Sequence, residues 1–166
     1  MGYSTDFEGR IEIEPPLNNE EINYLMKFSQ TRHMTRGLGP YWVSDIPYQD
    51  SNKELDVKDH NTPPPSQPGL WCNFEPSFSG TALIWNESEK TKHAVEWIHY
   101  IIDHFLKPRA ITQVLASDHE VFQHFQYNHI CNGELIAQGE DPEDRWKLKV
   151  TNNVVEKIRG RWIFEE

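Results

Sequence analysis

The chain has 166 residues, the size of one domain around one hydrophobic core, and its six tryptophans within a 12% aromatic content give that core large side chains to bury. Twenty-six acidic against 16 basic residues leave a formal charge of −10, which repels phosphate backbones and anionic lipid surfaces and argues against general nucleic-acid or membrane binding. No stretch approaches the ~20 apolar residues of a membrane span, residues 1–10 hold no apolar run, and Cys72 and Cys131 have no paired spacing, so a reduced, cytoplasmic setting is expected.

Residues 3–14 alternate strictly, with Tyr3, Thr5, Phe7, Ile11 and Ile13 on one face and charged or polar residues on the other, which predicts a half-buried strand. Pro15-Pro16 ends it, because proline has no N–H for a ladder. Asn18 followed by Glu21 makes a capping box, and Ile22, Leu25, Met26 and Phe28 supply the apolar stripe of a helix that Gly37 and Gly39-Pro40 close off. Residues 44–68 are polar and broken by Pro47, Pro63-Pro64-Pro65 and Pro68, a long connection of the kind that is either a functional loop or a spacer. Residues 70–75 and 81–85 predict a hairpin joined across 76–80. The strongest helix is predicted over 88–106, where Ala94, Val95, Ile98, Ile101, Ile102, Phe105 and Leu106 form a broad apolar stripe and Pro108 marks the end. A shorter helix from Ser117 or Asp118 to about Gln126 would bury Val121, Phe122 and Phe125.

From Glu134 onward, short strands at 134–138, 145–151, 154–157 and 161–164 are separated by residues 139–144, by Asn152-Asn153 and by Arg159-Gly160, all turn chemistry. The order of elements predicts an α+β fold: an antiparallel sheet with a C-terminal meander and two main helices packed on one face. Residues 1–166 read as a single domain, with a Pro-rich polar loop at about 44–68.

Four blocks occur together: Gly2-Tyr3-Ser4-Thr5-Asp6-Phe7-Glu8-Gly9, Thr31-Arg32-His33-Met34, Gln67-Pro68-Gly69-Leu70-Trp71-Cys72, and Gln138-Gly139-Glu140-Asp141 followed by Trp146. Their joint pattern resembles a family of small uncharacterised proteins of bacteria and their phages, over most of the chain except the Pro-rich segment and residues 109–129. The resemblance implies a shared fold and a phage or prophage origin, and it designates no catalytic residue.

On the 88–106 helix, Glu96 and His99, and His99 and Asp103, stand at ligand-compatible spacing, yet any amphipathic helix turns such residues to water. His119, His124 and His129 recur every five residues and spread around a helix, without the paired spacing of a zinc site, so no metal and no cofactor are expected. Cys72 alternates with Leu70 and Phe74 and reads as a small core residue. Against the acidic trend, Lys27, Arg32, His33 and Arg36 cluster at the end of the first helix, where Arg32 and Arg36 could present two donor forks to a phosphate or carboxylate, or simply answer the helix dipole. Trp42 and Trp71 are the aromatic walls such a ligand would use.

The expected function is that of a small acidic binding or accessory protein, phage- or mobile-element-encoded, acting through a protein partner or a small anionic ligand held by Arg32, His33, Arg36, Trp42 and Trp71; a homo-oligomer is compatible with it. The competing expectation is a hydrolase or nucleotide-processing enzyme in which His99 or His104 works with Glu96 or Asp103. A nucleic-acid mimic, which the net charge would suit, is disfavoured because the acidic residues are dispersed along the chain.

Overall fold

Strand β1, Thr5–Glu14, is the centre of the molecule. In the computed structural model, which describes residues 3–49 and 54–160, it pairs antiparallel with β6, Ile130–Gly139, on one side and with β5, Ala82–Trp85, on the other. β4, Phe74–Pro76, extends the sheet beyond β5, while β7, Arg145–Thr151, and β8, Val154–Arg159, continue the meander beyond β6. The order β4-β5-β1-β6-β7-β8 is antiparallel throughout. The predicted fourth strand of the meander, at 161–164, lies outside the described residues.

Alternation decides the two faces. Phe7, Ile11 and Ile13 of β1, Cys131, Leu135 and Ala137 of β6, and Leu148 and Val150 of β7 are buried on one side. On the other, Arg10, Glu134, Lys149 and Glu156 are successive cross-strand partners of alternating sign, which suits a face open to water. The turn at Asn152-Asn153 has both residues at positive φ, 46° and 71°, as a two-residue hairpin loop requires.

Helices α1, Asn19–Ser29, and α2, Ala94–Ile101, cover the apolar face, α1 against β4 and α2 against β8. The capping box forms as expected: Asn18 Oδ1 accepts the Glu21 N–H at 2.8 Å and Glu21 Oε1 accepts the Asn18 N–H at 2.9 Å. Between the layers, Tyr24 meets Phe105, Phe122 and Phe125 edge-on at 5.3–5.6 Å. α2 begins at Ala94 rather than Ser88, because Lys90 and His93 are in the left-handed region and the Thr91 hydroxyl is engaged by Trp85 Nε1 at 2.8 Å. Beyond α2 the turns widen over Ile102–Leu106, where the Lys107 N–H reaches back five residues to the Ile102 carbonyl at 3.2 Å.

The helix predicted from Ser117 or Asp118 to about Gln126 is only a 3-10 turn at Glu120–His124, and a short α3, Ile111–Val114, precedes it. Tertiary bonds take the groups a longer helix would need: the His124 carbonyl accepts from Asn18 Nδ2 at 2.8 Å, and the Gln126 N–H donates to Glu21 Oε2 at 3.2 Å. The same Glu21 oxygen lies 2.7 Å from His129 Nε2, with both residues fully buried, and His129 Nδ1 faces the Pro15 carbonyl at 2.6 Å. The expected β4 is shorter than 70–75, since Asn73 sits at φ 64° and the Leu70 carbonyl is drawn out of line to the His33 N–H at 2.7 Å. Within the Pro-rich connection, β3, Val57–Asp59, pairs with β2, Thr35–Arg36, as a two-stranded ribbon.

Candidate functional site

α1 ends at Ser29, so the four-residue spacing of Arg32 and Arg36 is not helical; Arg36 already belongs to β2. Arg32 donates from Nε to the His60 carbonyl at 3.2 Å and from Nη2 to Asn61 Oδ1 at 3.3 Å, tying the chain to the Pro-rich connection. Arg36 is buried, both of its Nη groups donate to Glu54 Oε2 at 2.8–2.9 Å, Asp56 lies 3.8 Å away, and Trp42 stacks with its ring centroid 3.7 Å from the guanidinium carbon. His33 lies inside the core, its Nε2–H donating to the Phe28 carbonyl at 2.9 Å. Burial, with the charge of Arg36 adding to it, pushes the His33 imidazole down to about 4 against the opposing pull of that hydrogen bond. The structure therefore brings Arg36 and Trp42 together, while Arg32 is engaged by residues 60 and 61, His33 packs between Phe28 and Trp97, and Trp71 lies against Tyr48.

The polar side of α2 does not converge either. Glu96 and His99 are exposed, Glu96 meeting His93 Nδ1 at 3.3 Å, and Asp103 pairs with Lys107. His104 turns inward, stacks on Tyr100 with centroids 3.7 Å apart, and places Nδ1 2.7 Å from the Tyr41 hydroxyl. Burial pushes its imidazole down to about 4, the charges of His99 and Lys107 adding to this and Asp103 opposing it. Among the described residues, no group of three His, Cys, Asp or Glu could hold a metal ion. Both cysteines are buried free thiols whose ionisation burial pushes up to about 12, far from the range of an activated nucleophile.

Where Trp71 lies, the chain makes a cavity of about 490 Å³ between residues 69–71, the turn at 88–93 and Tyr48. The Trp71 and Tyr48 rings stand 6.0 Å apart at 37°, and Tyr48 is half exposed. Lys90, Lys92 and His93 line the same cavity and are exposed; Glu89 is the carboxylate among its lining residues. Lys27, Lys107 and Lys147 each meet a carboxylate, whereas among the described residues Lys90 and Lys92 meet none. His93 is the N-cap of α2 and caps it with no side-chain bond, which leaves the first helical amides beside the cavity unmet by a cap.

Four of the lining residues hold left-handed backbone: Tyr48, Asn73, Lys90 and His93, at φ 60–64°. Asparagine tolerates that conformation, while each of the others costs roughly 1–2 kcal/mol. Hydrogen bonds keep the rim in place: Tyr48 N–H to the Gln30 carbonyl at 2.8 Å, Asn86 N–H to the Asn73 carbonyl at 3.1 Å, and Ser88 N–H to Asn86 Oδ1 at 3.0 Å. Beside Gly69, the fully buried Trp97 carries an indole N–H without a hydrogen-bond partner, an omission that costs about 1–3 kcal/mol in a dry site.

No protein-family model, no curated protein and no solved structure matches this chain. Of the candidate binding residues named from the sequence, Trp71 lines the cavity, and Gly69 and Leu70 stand beside it in the block from Gln67 to Cys72. The legible signal for the others was the run Lys90-Thr91-Lys92-His93 ahead of an apolar helical stripe, a cationic helix start in an acidic protein. Tyr48 and Gly69 carried no such signal, since only the return of the connection across the helix start brings them there.

Proposed function

We propose that this protein binds a small anionic ligand that carries a flat ring, in the cavity between Trp71 and the turn that starts α2. One observation carries the reading: a pair of partly exposed aromatic rings and two lysines without carboxylate partners among the described residues share one preformed concavity. The rings supply a stacking surface for the flat part, and Lys90, Lys92 and the uncapped amides of α2 supply the anion contacts. In a chain of formal charge −10, such a local cationic rim concentrates the anion where it binds instead of attracting polyanions in general. The buried, unpaired Cys72 and Cys131 support a reducing, cytoplasmic setting.

Titration of tryptophan fluorescence with adenosine 5′-monophosphate tests the reading. The double substitution Lys90→Ala with Lys92→Ala is expected to weaken binding at least tenfold with an unchanged unfolding midpoint, and equal affinity of the variant would refute it. A protein partner is the second reading, favoured by Leu38 and Leu55, which stand exposed at the same end of the β2–β3 ribbon.

A further inference from the structure

The two edges of the six-stranded sheet are finished differently. β4 is three residues long, ends in Pro76 and follows Asn73 in the left-handed region, so it leaves little backbone to pair. β8 is twice as long, holds no proline or glycine, and pairs in unbroken register with β7 and, among the described residues, with no other strand. The bond from the Gly160 N–H to the Arg145 carbonyl at 2.8 Å sets the phase of that ladder. Val154, Glu156 and Ile158 therefore bond inward to β7, and the N–H and C=O groups of Val155, Lys157 and Arg159 point out from the edge. The side chains of residues 156–159 are exposed. Residues 145–159 also carry five cations, Arg145, Lys147, Lys149, Lys157 and Arg159, against the single carboxylate of Glu156, in a chain of formal charge −10. Lys147 meets Glu134 at 3.3 Å and Lys157 lies over the Trp146 ring at 4.5 Å, whereas Arg145, Lys149 and Arg159 meet no carboxylate among the described residues.

We propose that the free edge of β8, a surface separate from the cavity, takes up an extended acidic segment of a partner protein as a seventh strand. Antiparallel pairing lets that segment exchange both backbone hydrogen bonds with Val155, Lys157 and Arg159. Residues directly opposite share a face, so carboxylates belong opposite Lys157 and Arg159, and apolar residues opposite Val155 and Ile158. Read in its own direction, the segment is acidic, apolar, acidic, polar, apolar. A second copy of this chain fits the edge poorly. Two β8 strands whose outward groups meet have two registers that overlap most of the strand, one centred on Lys157 and one on Glu156. The first sets Lys157 against Lys157 and the second Glu156 against Glu156, and like charges directly opposite destabilise a pair. The edge cations thus deter self-association and at the same time favour an acidic strand.

The test titrates the ¹⁵N-labelled full chain with the end-blocked peptide Ser-Glu-Ile-Glu-Thr-Val-Ser, whose glutamates fall opposite Arg159 and Lys157 in the antiparallel register. One control peptide has lysine at both glutamate positions. The other is N-methylated at its two glutamates, which keeps the charge and removes the ladder donors. At saturation the acidic peptide is expected to shift the amides of Val155, Lys157 and Arg159 and to slow their hydrogen exchange at least tenfold, and each control is expected to bind at least tenfold more weakly. Lys157→Glu with Arg159→Glu, at an unchanged unfolding midpoint, is expected to reverse the preference between the acidic and basic peptides. Equal binding of the N-methylated peptide would show attraction of charge alone and overturn strand addition, as would three amides that neither shift nor gain protection. A polythymidine oligonucleotide that binds more tightly than the peptide while those amides stay unprotected would make the hairpin a nucleic-acid surface. A dimer in sedimentation equilibrium that Lys157→Glu dissociates would make the occupant a second copy. Either of these results overturns the proposal.

Discussion

Acid should unfold this protein through His33 before most of its carboxylates are protonated. The imidazole is buried against Phe28 and Trp97 with ring centroids 4.3 and 5.3 Å away, and its folded value of about 4 lies well below the ordinary 6.5. Above pH 7 it is neutral in both the folded and unfolded states and contributes nothing to the pH dependence. As pH falls through 6.5 the unfolded chain takes up a proton that the folded one refuses, so stability drops until the folded group also titrates near 4. At 1.36 kcal/mol per pH unit, the 2.5 units between 6.5 and about 4 amount to about 3 kcal/mol, most of it lost between pH 7.5 and 4.5. His104, depressed by the same cause, adds loss in the same window. The assay is urea unfolding followed by tryptophan fluorescence at pH 7.5 and 4.5, for the wild type and His33→Gln, which keeps a donor for the Phe28 carbonyl but cannot titrate. The wild type should lose about 2–3 kcal/mol more than the variant between the two conditions. An identical pH dependence for both proteins would refute the burial argument.

The buried pair of Glu21 and His129 predicts a different cost. Glu21→Ala strands the His129 ring and the N–H groups of Asn18 and Gln126, so a loss of about 3–5 kcal/mol and roughly 10 °C in Tm is expected by calorimetry; a loss under about 1 kcal/mol would show the pair to be dispensable. Cys72 and Cys131, buried with ionisation pushed up to about 12, should resist a thiol reagent such as dithionitrobenzoate in the native state and react fully in urea; stoichiometric labelling of the folded protein would contradict that assignment.

Local chemistry determined much of this protein by itself. The strict alternation of residues 3–14 decided β1 and which of its faces is wet, Asn18 with Glu21 decided where α1 starts, and Asn152-Asn153 decided the β7–β8 hairpin, because each signal depends on neighbours a few residues away. Together with the meander they made the α+β fold legible. Tertiary structure decided the rest where partners are far apart in the chain. Glu21 serves its local cap and also meets His129, 108 residues on; Arg36, legible only as a free cation, is engaged by Glu54, 18 residues away; and His104, legible as part of a polar helix face, turns inward to Tyr41. The candidate site is the extreme case. Its lysines were legible as composition, but a cavity exists only because Tyr48, Gly69 and Trp71 return across the start of α2.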